Sequence, residues 1–363
     1  MLNHFINNQI IMKKTQLILA AALVVLAACN KEALNTETAL DNEIGFNVVN
    51  KKATKANDAI ISGTDYDHAN TFQVWGWQSE GGAFAEFSDA DASNFMSNLT
   101  ISWCGGPQDR AEAWRNSAHY YYWPFTGKIS FLAIHPSDVA PTSTGWDATN
   151  KKPQARIDNY TITPGTNETV DLMFATNEGS RRADALPMVF KHALSQIEVQ
   201  VKTDQDYSAD VAFDVESVTF NKIDLSGTVA YVNNAISWSG NTTQTQNWVY
   251  YDTVLEDITD SYQIYGAAKV NIPQPANIKA CELDPSDPAY DVDDDVQTYL
   301  TIGYSMEQTG SAKITGTVDV ALPMLWEAGK KYNYTINFRL NEILFNPSVE
   351  DWVDVNVTTI TIY

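Results

Sequence analysis

The chain has 363 residues and a formal net charge of −22, with 45 Asp and Glu against 23 Lys and Arg. Such an imbalance disfavours nucleic acid and anionic lipid surfaces as partners and favours solubility in a crowded setting. Ten Trp, 17 Tyr and 14 Phe, abundant Thr, Val and Ile, and no long Ala/Leu/Glu/Lys blocks point to an all-β chain, long enough for two domains with their own cores.

Residues 1–11 carry no readable pattern, and Met12-Lys13-Lys14 looks like the true start. The two lysines form a positive n-region ahead of the apolar run 17–28, whose twelve residues fit a signal peptide. A bilayer-spanning helix needs about 20. Residues 1–28 are therefore expected to be an export signal. The run closes on Leu26-Ala27-Ala28-Cys29, which looks like a bacterial lipobox. The Cys29 thiol would take a diacylglycerol and become the first mature residue. Each buried CH₂ of such chains contributes about 0.8 kcal/mol, and two or three chains hold a protein on a membrane without a spanning helix. With Cys29 lipidated, Cys104 and Cys281 lie far apart in the chain and are expected to be free buried thiols.

Residues 29–43 read as a polar tether. Ile44, Phe46 and Val48 then alternate with Gly45, Asn47 and Val49, the period of a half-buried strand. An exposed loop follows, in which Lys51, Lys52 and Lys55 stand out in so acidic a chain. Strands are expected at 72–77, 99–103, 120–123, 129–135, 160–163 and 170–175, separated by Gly81-Gly82, Gly105-Gly106-Pro107, His135-Pro136 and Thr163-Pro164-Gly165 turns. A short helix is expected over 89–98. Together these make an N-terminal β-sandwich, residues 44–178, ending at a polar linker over 177–184.

A second sandwich is expected over 186–363, with strands near 197–201, 215–220, 227–231, 236–238, 248–251, 262–271, 299–306, 314–320 and 332–340. At the C-terminus Val353, Val355 and Val357 alternate with polar residues, and the apolar phase then shifts to Ile360 and Ile362. One strand cannot keep one face buried across that shift, so it requires either a bulge near Thr358 or two strands.

Several segments together resemble the fimbrillin-like lipoproteins, subunits of the type V pili of Gram-negative bacteria. They are the lipobox at Cys29, Ile44-Gly45-Phe46 followed by Thr54-Lys55-Ala56, Asp171-Leu172-Met173-Phe174-Ala175 and Val189-Phe190-Lys191-His192-Ala193-Leu194. Near the end, Trp326-Glu327-Ala328-Gly329-Lys330-Lys331-Tyr332-Asn333-Tyr334-Thr335-Ile336 and Val349-Glu350-Asp351-Trp352 complete the set. The resemblance implies two tandem transthyretin-like Greek-key β-sandwiches, lipid-anchored in the outer membrane as a precursor and later carried in an extracellular fimbria. It further implies that a trypsin-like or gingipain-like protease cuts the basic loop at Lys51, Lys52 or Lys55. The strand of Ile44, Phe46 and Val48 then leaves, and its groove takes a donor strand from a neighbouring subunit by β-strand addition. Val353, Val355, Val357, Ile360 and Ile362 would supply the donor. The basic loop holds no Arg, so an Arg-only protease could not act there; Arg156, Arg181 and Arg182 lie far along the chain. The implied partners are other copies or related subunits, the protease and the outer membrane, with host surface glycans or proteins as adhesion targets.

Other chemistries are weaker. His68, His119, His135 and His192 lack metal-ligand spacing, so no metal is expected, and His192 reads as a corner opening the second domain. Asp284, Asp287, Asp291, Asp293, Asp294 and Asp295 form an acidic loop without the Gly and distal Glu of an EF-hand, which reads as solvated. No Gly-x-Ser-x-Gly elbow, phosphate loop or His-Glu-x-x-His occurs, so neither an enzyme nor a cofactor is expected. The alternative is an outer-membrane glycan-binding or adhesin lipoprotein that never polymerises, with Trp75, Trp77, Trp103, Trp114, Trp123 and Tyr120 to Tyr122 as a sugar-stacking surface.

Overall fold

A computed structural model describes residues 42–49, 66–104, 112–240, 246–274, 279–280, 297–322, 326–339, 343–351 and 354–359. Their regular structure is entirely β. The first strands are β1 (Phe46–Val49), β2 (Phe72–Ser79), β3 (Met96–Cys104), β4 (Ala113–Arg115), β5 (Lys128–His135), β6 (Ser143–Asp147), β7 (Lys152–Thr161) and β8 (Met173–Gly179). Next come β9 (Leu186–Val189), β10 (Lys191–His192), β11 (Ser195–Thr203), β12 (Val211–Ile223), β13 (Ser226–Val232), β14 (Ala235–Ser239), β15 (Gln246–Tyr251) and β16 (Gln263–Ile264). The last are β17 (Lys269–Asn271), β18 (Lys279–Ala280), β19 (Gln297–Gln308), β20 (Ile314–Ala321), β21 (Lys330–Phe338), β22 (Ile343–Asp351) and β23 (Asp354–Thr359).

An eight-stranded sheet runs β10-β8-β5-β2-β3-β4-β1-β9. Its two end strands are separated in the chain only by buried Phe190, so the sheet curls back on itself. The corner is β3, which pairs with β2 up to Ile101 and with β4 from Ser102. Phe46, Phe72, Phe131, Met173 and Leu186 fill the space inside the curl. On its other face Trp75, Trp77, Leu132 and Ile134 meet Trp146, Ile157, Val229 and Tyr231 of a second sheet, ordered β14-β13-β7-β6. Strands β2 and β5 are thus the middle of three layers, which is why Phe131-Leu132-Ala133-Ile134 is an unbroken apolar run: both faces are covered.

The remaining strands form two facing sheets. One runs β16-β11-β21-β22-β23, with β17 also paired to β11, and the other runs β15-β12-β19-β18, with β20 on β19. Val199, Phe220, Trp248, Ile302, Trp326, Tyr334 and Ile336 pack between them.

Pairing does not stop at the expected boundary between residues 178 and 186. Leu186 of β9 is in register with Phe46 and Lys191 of β10 with Phe174, while the β13–β14 hairpin reaches back so that Val229 faces Ile157. Residues 177–179 of the linker belong to β8, and beyond them Arg182 and Asp184 form an ion pair.

The helix expected over 89–98 is a loop leading into β3. Ala90 and Asn98 take left-handed backbone angles, with φ of 65° and 53°, which a helix excludes. The Asp91 carboxylate accepts from the Ser88 amide at 2.7 Å and the Asn94 side chain from the Gln78 amide at 2.7 Å, bonds that compete with helical ones.

Candidate functional site

Strand β1 is set between two segments that are remote from it in sequence. It runs parallel to β9, with Phe46 opposite Leu186, Asn47 opposite Pro187 and Val48 opposite Met188, and antiparallel to β4, with Phe46 opposite Trp114. The Ile44 amide donates to the Tyr121 carbonyl at 2.7 Å, the Trp123 amide to the Asn42 carbonyl at 2.8 Å, and the Leu186 amide to the Gly45 carbonyl at 2.8 Å. Ile44, Phe46 and Val48 are buried and Asn47 is exposed, the period read from the sequence. The Phe46 ring meets Phe131 edge-on at 5.2 Å and Phe72 at 6.1 Å.

One feature of this seat carries no sequence signal. Glu43, read as the last residue of the tether, is fully buried, and its carboxylate accepts from Nη1 of Arg115 at 3.0 and 3.1 Å. Arg115 is only 1% exposed, at the end of β4. A charge beside a strand ordinarily reads as solvated; its burial is licensed here by a partner 72 positions away. Next to this pair, Arg181 donates to the Asn42 side chain at 2.8 Å and lies over the Phe125 ring. The guanidinium thus sits beside the residues that lead into β1.

A polar network closes the inside of the curl. The Tyr66 hydroxyl bonds Nδ1 of His135 at 2.6 Å, and His192, in β10, pairs with buried Asp171. Burial holds His135 below the ordinary imidazole range. The Thr71 carbonyl, Asp171 and Asp138 pull the other way, and His192 adds to the lowering. His192, expected to open the second domain, closes the edge of the first sheet on β8.

At the far end of the chain, β23 is the outer strand of its sheet and pairs with β22 through Ser348 opposite Thr359, Val349 opposite Thr358 and Asp351 opposite Asp354. The register breaks between the last two pairs, so the irregularity lies between Asp354 and Thr358. Val355 and Val357 stand in β23. Cys29, Lys51, Lys52, Lys55, Val353, Ile360 and Ile362 lie outside the described residues, as do Cys281 and the acidic loop from Asp284 to Asp295. Cys104 is a half-buried free thiol.

The tryptophans proposed for sugar stacking are mostly core. Trp75, Trp77, Trp114 and Trp123 are buried, and Trp103 is stacked on His68 with its indole N–H on Glu112 at 3.0 Å. Tyr120, Tyr122 and Phe125 remain exposed. Among the described residues, no three His, Cys, Asp or Glu side chains are grouped to hold a metal ion.

The model of the fimbrillin-like family matches residues 53–352. The chain belongs to the fimbrillin-like family. Its members are structural, non-enzymatic proteins. The match begins at Ala53, directly after Lys52, and ends at Trp352, so β1 and β23 both lie outside the shared fimbrillin-like span. Among solved structures, a fimbrial protein from Bacteroides vulgatus is similar with a TM-score of 0.59 and 17% identity, over 85% of this chain and 99% of that one. A candidate cell adhesion protein from Bacteroides uniformis gives a TM-score of 0.49 and 16% identity, over 86% of this chain and 100% of that one. These likenesses concern the fold, which is all-β and sandwich-like. No curated protein sequence matches the chain.

Proposed function

We propose that this protein is a structural subunit of a cell-surface fimbria, exported as a lipoprotein precursor through Cys29 and assembled by proteolysis-triggered strand exchange. Family membership supports a fimbrial or adhesive role at the cell surface. The observation that carries the finer reading is the seat of β1. It is a short strand whose apolar side chains complete a core, held between β4 and β9 by partners remote in sequence and followed by the lysine-rich stretch. Cutting at Lys51, Lys52 or Lys55 would separate β1 from the body and leave an open sheet edge over Phe72 and Phe131. Such an edge takes up an extended segment, because backbone bonds and apolar burial of about 25 cal/mol per Å² act together. In this reading residues 1–28 are removed, the polar segment after Cys29 tethers β1 to the lipid, and residues 353–363 of a neighbouring subunit donate.

Limited trypsin treatment of the mature protein tests this. A new N-terminus at Ala53 or Ala56, followed by ladder-forming oligomers that vanish when residues 353–363 are deleted, is the expected result. Oligomers unchanged by that deletion would rule out donation by the C-terminal segment. The adhesin alternative now rests on the exposed Tyr120, Tyr122 and Phe125; a glycan array without binding would remove it.

A further inference from the structure

We propose that the aromatic surface at the head of β1, formed by Tyr120, Tyr122 and Phe125 with Arg181, is the seat for the body of the donating subunit. Its occupant is a second copy of this chain, at the end of β22 from which the donor strand departs. The inference rests on the strand-exchange reading and adds to it where the neighbour docks and which way its strand enters.

The surface is open and held in place. Tyr120, Tyr122 and Phe125 are 41%, 49% and 85% exposed, and Phe125 is the most exposed large hydrophobic side chain among the described residues. Single apolar side chains on a surface need no explanation, but three aromatic ones within six residues make a patch of the kind that marks an interaction site. The loop that carries them is anchored at both ends. Asn116 accepts from the His119 amide at 2.8 Å and donates to the Thr100 carbonyl at 2.9 Å, while Trp123 is buried beside Phe131. A surface fixed in advance loses little conformational freedom on binding. The Lys128–Glu178 and Arg182–Asp184 ion pairs, close in the chain to Phe125 and Arg181, add the polar groups that rim a protein interface.

Its position identifies the occupant. Tyr122 is bridged to Glu43, the Trp123 amide donates to the Asn42 carbonyl, and Arg181 donates to the Asn42 side chain. A strand that reproduces the bonds of β1, parallel to β9 and antiparallel to β4, therefore enters past these residues. The donor is a C-terminal segment, so its first residues are the ones joined to its own body, and in the polarity of β1 they come to this head. Strand β22 is paired with β21 from Ile343 to Asp351, so Asp351 stays with the donor body. Whether Val353 or Val355 takes the first apolar seat, Asp351 is only two or four positions away. That is about 7–13 Å of extended chain, which sets the donor body against Tyr122 and Phe125. Glu350 and Asp351, at the end of β22, complement the Arg181 guanidinium. A reversed strand would instead bring the body to the other end of β1, where Val49 is opposite Val189.

The test uses the full mature chain nicked by trypsin in the basic loop, as parent, Phe125→Asp and Tyr122→Ser. Uptake of a labelled 353–363 peptide, followed by fluorescence anisotropy, should stay within about twofold of the parent, because the peptide brings no body with it. Ladder formation between whole subunits should be at least about tenfold slower for Phe125→Asp. A benzophenone photo-crosslinker at position 125 should join the neighbour near Glu350 and Asp351, and the same group at position 189 should not. Parental ladder rates in both variants overturn the inference while leaving strand exchange standing, and so does cross-linking to β22 from position 189. Peptide uptake weakened as much as ladder formation means that the patch acts only through the groove, and overturns it too. Glycan binding that vanishes in the variants while ladders persist assigns the surface to adhesion instead. If Phe125→Asp fails to fold, Tyr122→Ser and the cross-links decide. A nicked parent that neither takes up the peptide nor forms ladders overturns strand exchange itself and this inference with it.

Discussion

Glu43 and Arg115 hold the head of β1 in the core, and the energetics of such a pair are lopsided. Removing one member of a buried ion pair costs about 3–5 kcal/mol, whereas replacing both by apolar groups of similar size is close to neutral. Glu43→Gln or Arg115→Met should therefore lower the denaturant midpoint sharply, and Glu43→Leu combined with Arg115→Met should recover most of the loss. His135 offers a second residue-level expectation. Its imidazole is held low by burial, while in the unfolded chain it titrates near 6.5. As pH falls through about 6.5 the unfolded chain binds a proton that the folded chain refuses, so stability is present above that pH and declines below it. Thermal melts between pH 7.5 and 5.5 should fall less steeply for His135→Gln than for the parent. Neither residue was legible in advance, because burial of a charge or an imidazole depends on partners that only the fold brings near.

Strand β1 was legible, since Ile44, Phe46 and Val48 share one face and burial followed the alternation. Phe46→Ala should cost about 3–5 kcal/mol in chemical denaturation and hasten loss of β1 from nicked protein. The end of β2 packs against the start of β5 at Gly127, at φ 88°, where a Cβ would lie 2.2 Å from the Ser79 carbonyl oxygen. Gly127→Ala should destabilise by roughly 1–3 kcal/mol, read as a lower unfolding midpoint. Strand β22 escaped notice because Pro347 interrupts it, and proline argues against an interior strand. Pro347 is in register with Tyr334 of β21, and among the described residues the pairs with β23 begin at Ser348. The helix expected at 89–98 is excluded by the left-handed backbone at Ala90 and Asn98, with Asp91 and Asn94 accepting from the Ser88 and Gln78 amides.

Composition and alternation disclosed the all-β class of the whole molecule. They did not disclose which sheet covers which face, because an apolar side chain marks itself as buried without naming its cover. Val229 and Tyr231 of β13 join Trp75 and Ile157 in one core, and so do Val270 and Ile272 from beyond residue 186. Glu168 adds a polar clasp across the same junction, accepting from Trp248 Nε1 at 2.7 Å and pairing with Lys269 at 2.8 Å. Calorimetry of the intact chain should accordingly show a single cooperative transition, and Lys269→Met, which leaves the Glu168 carboxylate buried without that cation, should lower its temperature. Two separate transitions would mean that the shared core does not couple the halves.

The long ladder between β11 and β21 has a mechanical consequence. The two strands are parallel and matched from Gln196 opposite Lys331 to Thr203 opposite Phe338. If such a molecule is gripped at its N-terminal sheet and drawn by its C-terminal segment, the pull reaches opposite ends of these two strands. Their hydrogen bonds are then loaded in shear and must fail together, whereas a hairpin peeled from one end gives way bond by bond. Single-molecule stretching in that geometry should show one high force peak, and pulling across the β19–β20 hairpin a much lower one.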